Sequence, residues 1–297
     1  MNHNVASQPP SDTAHRIASA LVTDMAAIAS PPEVYLKVSQ LAEAPWATLD
    51  HLAAVILRDP ALAARLLRAA NSPWYGMANR VETVSRAVMV LGLAEVRKLV
   101  TAASAIEAFS RLSSAITNMN TFWRHAVYTG LMAQALARHQ HVLHPERLFV
   151  AGLLHDLGTL LLNHRYPESA AALIVDARGD EQALYQLESD TLGFDHAMVG
   201  SLMLEHWELP PATTQALAWH HDPAMAPAAR MEAALLHAAD RLANASGTGR
   251  YSELQCRAPL LARPALERLG LSAEFDLDAL FEAVDREFAE TACLFLA

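Results

Sequence analysis

A long apolar stretch at residues 150–164 carries an adjacent histidine and aspartate in its middle. Apolar runs flank the His155–Asp156 pair on both sides, and their pattern predicts a core helix that contains the pair. Burying an imidazole and a carboxylate costs free energy unless they are paired or hold a metal ion. The fold must therefore bring further polar side chains to this helix from elsewhere in the chain.

The rest of the sequence shows apolar residues at helical spacing and frequent helix-start signals. Asp59–Pro60 places an N-capping aspartate before a proline at the first helical position, and Thr48, Asp180 and Asp195 are further N-cap candidates. The sequence shows no convincing strand alternation. The pattern therefore predicts an all-α protein, a bundle of many helices.

The predicted helices divide the chain into four segments. A long helix is predicted over residues 113–140, with a bend near Gly130, and a last amphipathic helix begins near Asp276. That last helix packs either on its own domain or on a second subunit of a homodimer, and both alternatives stay open. The four predicted segments are a disordered lead-in at residues 1–13, an N-terminal helical half at 14–112, a second helical half with a candidate metal site at 113–245, and a loop with the C-terminal helix at 246–297.

Composition narrows the classes of function. The 297 residues are 53% hydrophobic and 18% charged, as in a globular protein, and the net charge of -10 argues against nucleic-acid binding as the main role. We find no apolar run of membrane-spanning length, no signal-peptide pattern at the N-terminus and no disulfide framework from two cysteines. These features predict a cytoplasmic protein without a membrane partner.

Imidazole and carboxylate side chains on several predicted helices supply candidate partners for the pair. Side chains from facing helices can converge in a bundle core, and this mixture of ligands suits iron, manganese, zinc or nickel. A single helical histidine is usually a surface or core residue, so the hypothesis rests on the whole set. The predicted metal ligands are His125, His155, Asp156, His196, His220, His221 and Asp240.

The remaining histidines have a simpler interpretation. His237 lies three residues before Asp240 and is predicted either to support a ligand or to play no part. Those near helix ends or in polar stretches are predicted to be solvated, namely His51, His139, His141, His144 and His164.

The order of the predicted ligands resembles the HD superfamily of metal-dependent phosphohydrolases, which is named after an adjacent His–Asp pair. An early histidine (His125), the pair and a later aspartate (Asp240) are its minimum. The additional histidines at 196, 220 and 221 resemble the larger ligand set of the HD-GYP branch, which hydrolyses cyclic di-GMP.

Four stretches resemble the HDOD family, the HD-related output domain of bacterial signalling, more closely still. They are residues 59–76, 85–100, 151–162 and 195–210. The resemblance covers about residues 25–225. It implies an HD-like helical bundle with an N-terminal helical subdomain and a regulatory role through contacts with other signalling proteins. Members of this family often lack the catalytic residues, whereas this chain keeps the ligand-type residues. A retained site for one or two divalent transition-metal ions is therefore predicted.

The departures from the HD-GYP pattern bear on catalysis. Thr159 follows Gly158 where that branch has lysine, the GYP signature is absent after the double histidine, and Thr121 stands where the trinuclear members carry glutamate. They favour the regulatory function over the alternative, a metal-dependent phosphohydrolase acting on a nucleotide or cyclic dinucleotide. In that alternative Asp156 is the catalytic candidate, bridging two metal ions. Whether the chain is an enzyme stays open.

A group of basic residues has two interpretations. Arg65, Arg68, Arg97 and Lys98 could form a patch for a phosphodiester or an acidic partner. Their positions on amphipathic helices favour solvated helix faces instead.

Overall fold

The structure, a computed structural model, describes residues 12–26, 28–110, 112, 116–251, 269–271 and 275–295. These residues form helices and no strand, so the predicted all-α class is confirmed. The N-terminal half contains a short 3-10 helix, Pro73–Tyr75, and five α-helices: α1 (Asp12–Met25), α2 (Glu33–Glu43), α3 (Leu49–Ile56), α4 (Pro60–Ala70) and α5 (Val84–Ser110). Helix α5 is kinked at Gly92, whose φ of 75° and ψ of 167° are not helical.

The second half continues with the helices, and the junctions between them, that carry the predicted metal ligands. A short 3-10 helix, Pro223–Met225, lies before α13. The α-helices are α6 (Met119–His139), α7 (Glu146–Leu154), α8 (Leu157–Arg165), α9 (Pro167–Ala177), α10 (Glu181–Leu192), α11 (His196–His206), α12 (Pro211–Ala218), α13 (Arg230–Ala245) and the C-terminal α14 (Leu277–Phe295).

The predicted N-caps are confirmed by hydrogen bonds from the first helical turns. Asp59 accepts from the backbone N–H of Leu62 at 3.0 Å, and Asp195 accepts from that of Met198 at 2.9 Å. Thr48 and Asp180 cap α3 and α10 in the same way. The helix starts are therefore encoded locally.

Three sequence expectations are modified. The long helix predicted from residue 113 begins at Met119 because Asn118 caps it, while residues 113–115 lie outside the described residues. Helix α6 continues through Gly130, where a Cβ would lie 2.7 Å from the carbonyl oxygen of Phe149, so this glycine allows α6 and α7 to approach closely. Of the predicted lead-in, residues 12 and 13 are helical and the rest falls outside the described residues.

The indole of Trp207 joins the two halves. It is 1% exposed, its ring centroid lies 5.6 Å from that of Tyr35 and 5.7 Å from that of Phe109, and its Nε1–H donates to the carbonyl oxygen of Ala29 at 2.8 Å. Residues from α2, α5 and the end of α11 thus share one core.

The C-terminal helix packs on its own chain. Phe288 of α14 lies 5.5 Å from the ring of Tyr128 on α6, and the Tyr128 hydroxyl donates to Asp285 at 2.9 Å. A homodimer stays a prediction. Within the described part of the chain, no helix has the length and apolarity needed to cross a membrane.

We expect Trp207→Ala to lower the free energy of unfolding by about 3–5 kcal/mol, because it removes a buried ring and leaves a cavity between the halves. Trp46→Ala is the control, since Trp46 is 66% exposed, and it should change that free energy by less than about 0.5 kcal/mol. Denaturant titration measures both. Equal stabilities of the two variants would contradict the role assigned to Trp207.

Candidate metal centre

The His155–Asp156 pair lies at a break between two helices, so the prediction of one continuous helix through the pair is wrong. Helix α7 ends at Leu154 and α8 begins at Leu157, with Asp156 at φ -98° and ψ 7°. Adjacent side chains of a continuous helix point about 100° apart. The break instead leaves the Nε2 of His155 and the Oδ2 of Asp156 only 3.2 Å apart.

A first group of buried ligand atoms surrounds one oxygen of Asp156. The Nε2 of His125 lies 3.3 Å from the Nε2 of His155 and 3.7 Å from Asp156 Oδ2. The Oε1 of Glu181 lies 3.9 Å from the Nε2 of His155, and the ligand atoms of these four residues all lie within 4.8 Å of one another. Asp240 adjoins the group, with its Oδ1 3.4 Å from the Nε2 of His125.

A second group faces the other oxygen of Asp156. His196, His220 and His221 are all buried and also have ligand atoms within 4.8 Å of one another. The Nε2 of His196 lies 2.8 Å from that of His221 and 3.5 Å from Asp156 Oδ1. Asp156 thus lies between the two groups, and all seven predicted ligands meet in one cluster. Their binding of a metal stays a prediction.

Hydrogen bonds to the opposite ring nitrogens orient the histidines. The carbonyl oxygens of Gly152, Leu217 and Gly249 lie 2.6, 2.7 and 2.7 Å from the Nδ1 atoms of His155, His220 and His125 respectively. Such a bond leaves the Nε2 atom free to face the cluster, as in histidine metal sites.

Carboxylate and amide groups complete this outer layer. An oxygen of Glu188 lies 2.6 Å from the Nδ1 of His196 and accepts from its backbone N–H at 2.9 Å. The amide of Asn244 donates to Glu181 at 2.7 Å and to Asp240 at 2.9 Å.

The inward-facing atoms fit a bound cation. Both oxygens of Asp156, the Oε1 of Glu181 and the Nε2 of His220 are buried and have no hydrogen-bond partner within the described parts of the chain. Buried polar atoms of this kind are normally paired, so four orphans in one cluster call for a partner that accepts lone pairs. Imidazole and carboxylate ligands suit a divalent transition metal, and two groups around Asp156 offer places for one or two ions.

The electrostatics of the cluster favour the ligand forms of Asp156 and His220 and the protonated forms of Glu181 and His196. Burial raises the pKa of Asp156, but the surrounding histidines outweigh burial and hold that pKa well below its ordinary value. Burial and the neighbouring carboxylates raise the pKa of Glu181 well above its ordinary value. Burial lowers the pKa of His220 to about 3, which keeps its ring neutral. Burial also lowers the pKa of His196, but Glu188 outweighs it and raises that pKa to about 10.

Several site residues were not predicted from the sequence. Glu181 and Glu188 lie on α10, whose polar sequence resembles that of a solvated helix, and Gly249 lies in a segment predicted only as a loop. His237 has a supporting role, because its Nδ1 lies 2.7 Å from the carbonyl oxygen of His220. The histidines predicted to be solvated are exposed, which confirms that prediction.

Among the described residues, the ligand side chains of the centre are buried from solvent. Each of the eight clustered side chains, the seven predicted ligands and Glu181, is 7% exposed or less. The ring of Tyr185 stacks on that of His221 at 4.6 Å, and the ring of Tyr251 meets that of His125 edge-on at 5.6 Å. A substrate reaches the ligand atoms only if part of this cover moves.

Gly158 lets α8 and α11 approach closely beside the centre. A Cβ at this position would lie 1.9 Å from the carbonyl oxygen of His196 and 2.7 Å from the backbone nitrogen of Gly200. A side chain here would displace α11, and His196 with it, from Asp156.

Comparison with known proteins places these observations in a family. The model of the HDOD domain matches residues 28–223. An uncharacterized protein of Treponema pallidum (strain Nichols) is 26% identical over 215 residues, which are 71% of this chain and 41% of that protein. The chain thus spans less than half the length of this relative.

Three solved structures share the fold. An HDOD domain protein of unknown function from Geobacter sulfurreducens has a TM-score of 0.74 at 24% identity, over 95% of this chain and 99% of that one. A candidate signal transduction protein from Marinobacter aquaeolei VT8 has a TM-score of 0.73 at 22% identity, over 95% of this chain and 65% of that one. A candidate phosphohydrolase from Shewanella amazonensis SB2B has a TM-score of 0.71 at 23% identity, over 93% of this chain and 98% of that one. At these identities the likeness shows the helical fold alone.

We expect Gly158→Ala to lose most of its bound metal and to unfold at lower denaturant concentration, because the added methyl group separates His196 from Asp156. Gly247→Ala is the control, since a Cβ there meets nothing within 4 Å. Elemental analysis of the purified proteins measures the metal. Retention of wild-type metal content by Gly158→Ala would contradict the geometry.

We expect Glu188→Gln to weaken metal binding by about 10- to 100-fold, because the amide no longer orients and polarises His196 as a carboxylate does. Competition with a chelator measures this affinity. Glu205→Gln, on the exposed face of α11, should bind metal as the wild type does. Equal affinities in both variants would show that Glu188 has no part in the site.

Proposed function

This chain belongs to the HDOD domain family, and we propose that it is a regulatory domain of bacterial signalling that carries an HD-type metal centre. It acts in the cytoplasm through contacts with other signalling proteins. The family match and the Marinobacter relative of similar fold support this role. The metal centre holds one or two divalent ions through His125, His155, Asp156, His196, His220, His221 and Asp240, with Glu181 as an added ligand.

The closed centre is the observation that carries this proposal. A hydrolase must let the phosphorus atom of its substrate approach the metal-bound site, whereas here the ligand side chains are at most 7% exposed. Thr159, where the enzymatic branch has a lysine, is itself 2% exposed and offers no cation for a phosphate. Both features suit a centre that is retained without turnover.

A metal ion in such a centre has a structural consequence. Metal binding ties several elements together, because each of them supplies a ligand. These elements are α6, the α7–α8 junction, the N-termini of α10 and α11, the segment that follows α12, and α13. Metal-binding free energy then appears as folding free energy. The protein surface offered to a partner therefore depends on whether the centre is filled.

The alternative function, a phosphohydrolase acting on a nucleotide or cyclic dinucleotide, is favoured by one observation. The two oxygens of Asp156 face separate ligand groups, which is the arrangement expected of a carboxylate that bridges two metal ions. Ions at such a site would supply Lewis acidity and lower the pKa of a water for attack on phosphorus. The Shewanella relative of similar fold gives this alternative further support.

We expect the purified wild-type protein to contain at least one transition-metal ion per chain and to hydrolyse cyclic di-GMP, cyclic AMP and p-nitrophenyl phosphate no faster than Asp156→Asn. The variant removes the central ligand charge and should lose the metal. Elemental analysis and product chromatography, with manganese and iron added in turn, measure both properties.

Each outcome separates the two functions. Hydrolysis by the wild type that is absent in Asp156→Asn would establish the phosphohydrolase and overturn the regulatory proposal. Absence of metal from both proteins under all loading conditions would overturn the metal centre. Asp180→Asn is the matched control, since asparagine still caps α10, and it should keep its metal.

A further inference from the structure

Arg97 and Lys98, two basic residues of α5, do not lie on a fully solvated helix face, which is the interpretation that the sequence favours. Lys98 is 5% exposed, its Nζ lies 2.7 Å from an oxygen of Glu95, and it stands 4.8 Å over the ring of Phe149. Arg97 beside it is half-buried. A lysine is rarely buried unless its charge is paired. The cavity beside Lys98 and Arg97 is therefore a candidate binding site.

Both residues line a cavity of about 240 Å³ between the two helical halves. One wall comes from α2 and α5 and the other from α7 and the start of α12. Apolar groups form much of its surface, and polar groups converge on it from both halves. The lining includes Tyr35, Val150, Leu209, Arg97, Lys98 and Arg147.

The charge of the cavity is opposite to that of the protein. Three cationic side chains line it, against the one carboxylate of Glu146, while the chain as a whole carries -10. Glu146 faces His144, with 3.3 Å between oxygen and nitrogen. Among the residues that the structure describes, neither Arg97 nor Arg147 forms an ion pair with a carboxylate. Two guanidinium groups therefore have bidentate donors available.

We propose that this cavity binds a small organic anion with an apolar body and a carboxylate, sulfonate or phosphonate head. The guanidinium groups of Arg97 and Arg147 hold the head, while Lys98 stays paired with Glu95, and Tyr35, Val150 and Leu209 contact the body. The volume lies just below the range of about 300–1,000 Å³ typical of ligand pockets, so the ligand is of small-metabolite size. The site is separate from the metal centre and needs no metal.

Phenylphosphonate is a suitable probe because it combines a ring with a dianionic head and has no ester to hydrolyse. Benzyl alcohol lacks the charge, and inorganic phosphate lacks the ring. We expect isothermal titration calorimetry to show wild-type binding of phenylphosphonate at least about tenfold tighter than of either control, since charge-assisted hydrogen bonds and apolar burial act together.

Substitutions locate the binding. Arg97→Ala should weaken phenylphosphonate binding about tenfold, since one charged donor group is lost. Arg86→Ala, an exposed arginine on the other side of the Gly92 kink in α5, should bind as the wild type does. Ala94→Trp, at the exposed rim of the cavity, should abolish binding by filling it. Circular dichroism melting confirms that each variant is folded.

The outcomes decide the proposal. Absence of wild-type binding at millimolar phenylphosphonate, equal affinity for benzyl alcohol, or equal weakening by Arg97→Ala and Arg86→Ala would each overturn it. Metal content is measured in parallel and should be unchanged in Arg97→Ala. A loss of metal in that variant would overturn the separation of the cavity from the metal centre.

Discussion

The buried carboxylate of Asp156 is the group on which the arrangement of the second helical half depends. Its side chain is 1% exposed, and its two oxygens lie 3.2 Å from His155 and 3.5 Å from His196. A carboxylate in such a place is stable only beside compensating charge. The helices that supply the histidines must therefore converge on one point, and glycines at 130, 152, 158 and 200 leave room for the backbones to do so.

The sequence predicts the ligand side chains better than the residues around them. The ligands come with local signals, such as the adjacent His155–Asp156 pair or a histidine after the capping Asp195. Glu188 has no such signal, because it reaches His196 across the turn between α10 and α11, and its own helix resembles a solvated one. The break between α7 and α8 at His155–Asp156 is also not predictable from the sequence. Apolar residues continue through both helices, so their pattern resembles that of one helix.

Lys98 also shows that contacts between residues far apart in the sequence cannot be predicted from local patterns. Helix starts are predictable because a capping side chain and its backbone partner are close in sequence, as at Asp59. The burial of Lys98 depends on Phe149, 51 positions further along the chain, and on the packing of α7 over α5. Amphipathic spacing on one helix carries no information on which neighbour covers its basic face.

The cavity and the metal centre are connected through two helices. Helix α7 lines the cavity with Arg147 and ends next to His155, eight residues or about 12 Å further along its axis. Helix α12 lines it with Thr213 and leads to His220 and His221. A ligand that moved either helix in the cavity would also move metal ligands. Coupling of this kind is reciprocal, and metal binding would then change the affinity of the cavity by the same factor.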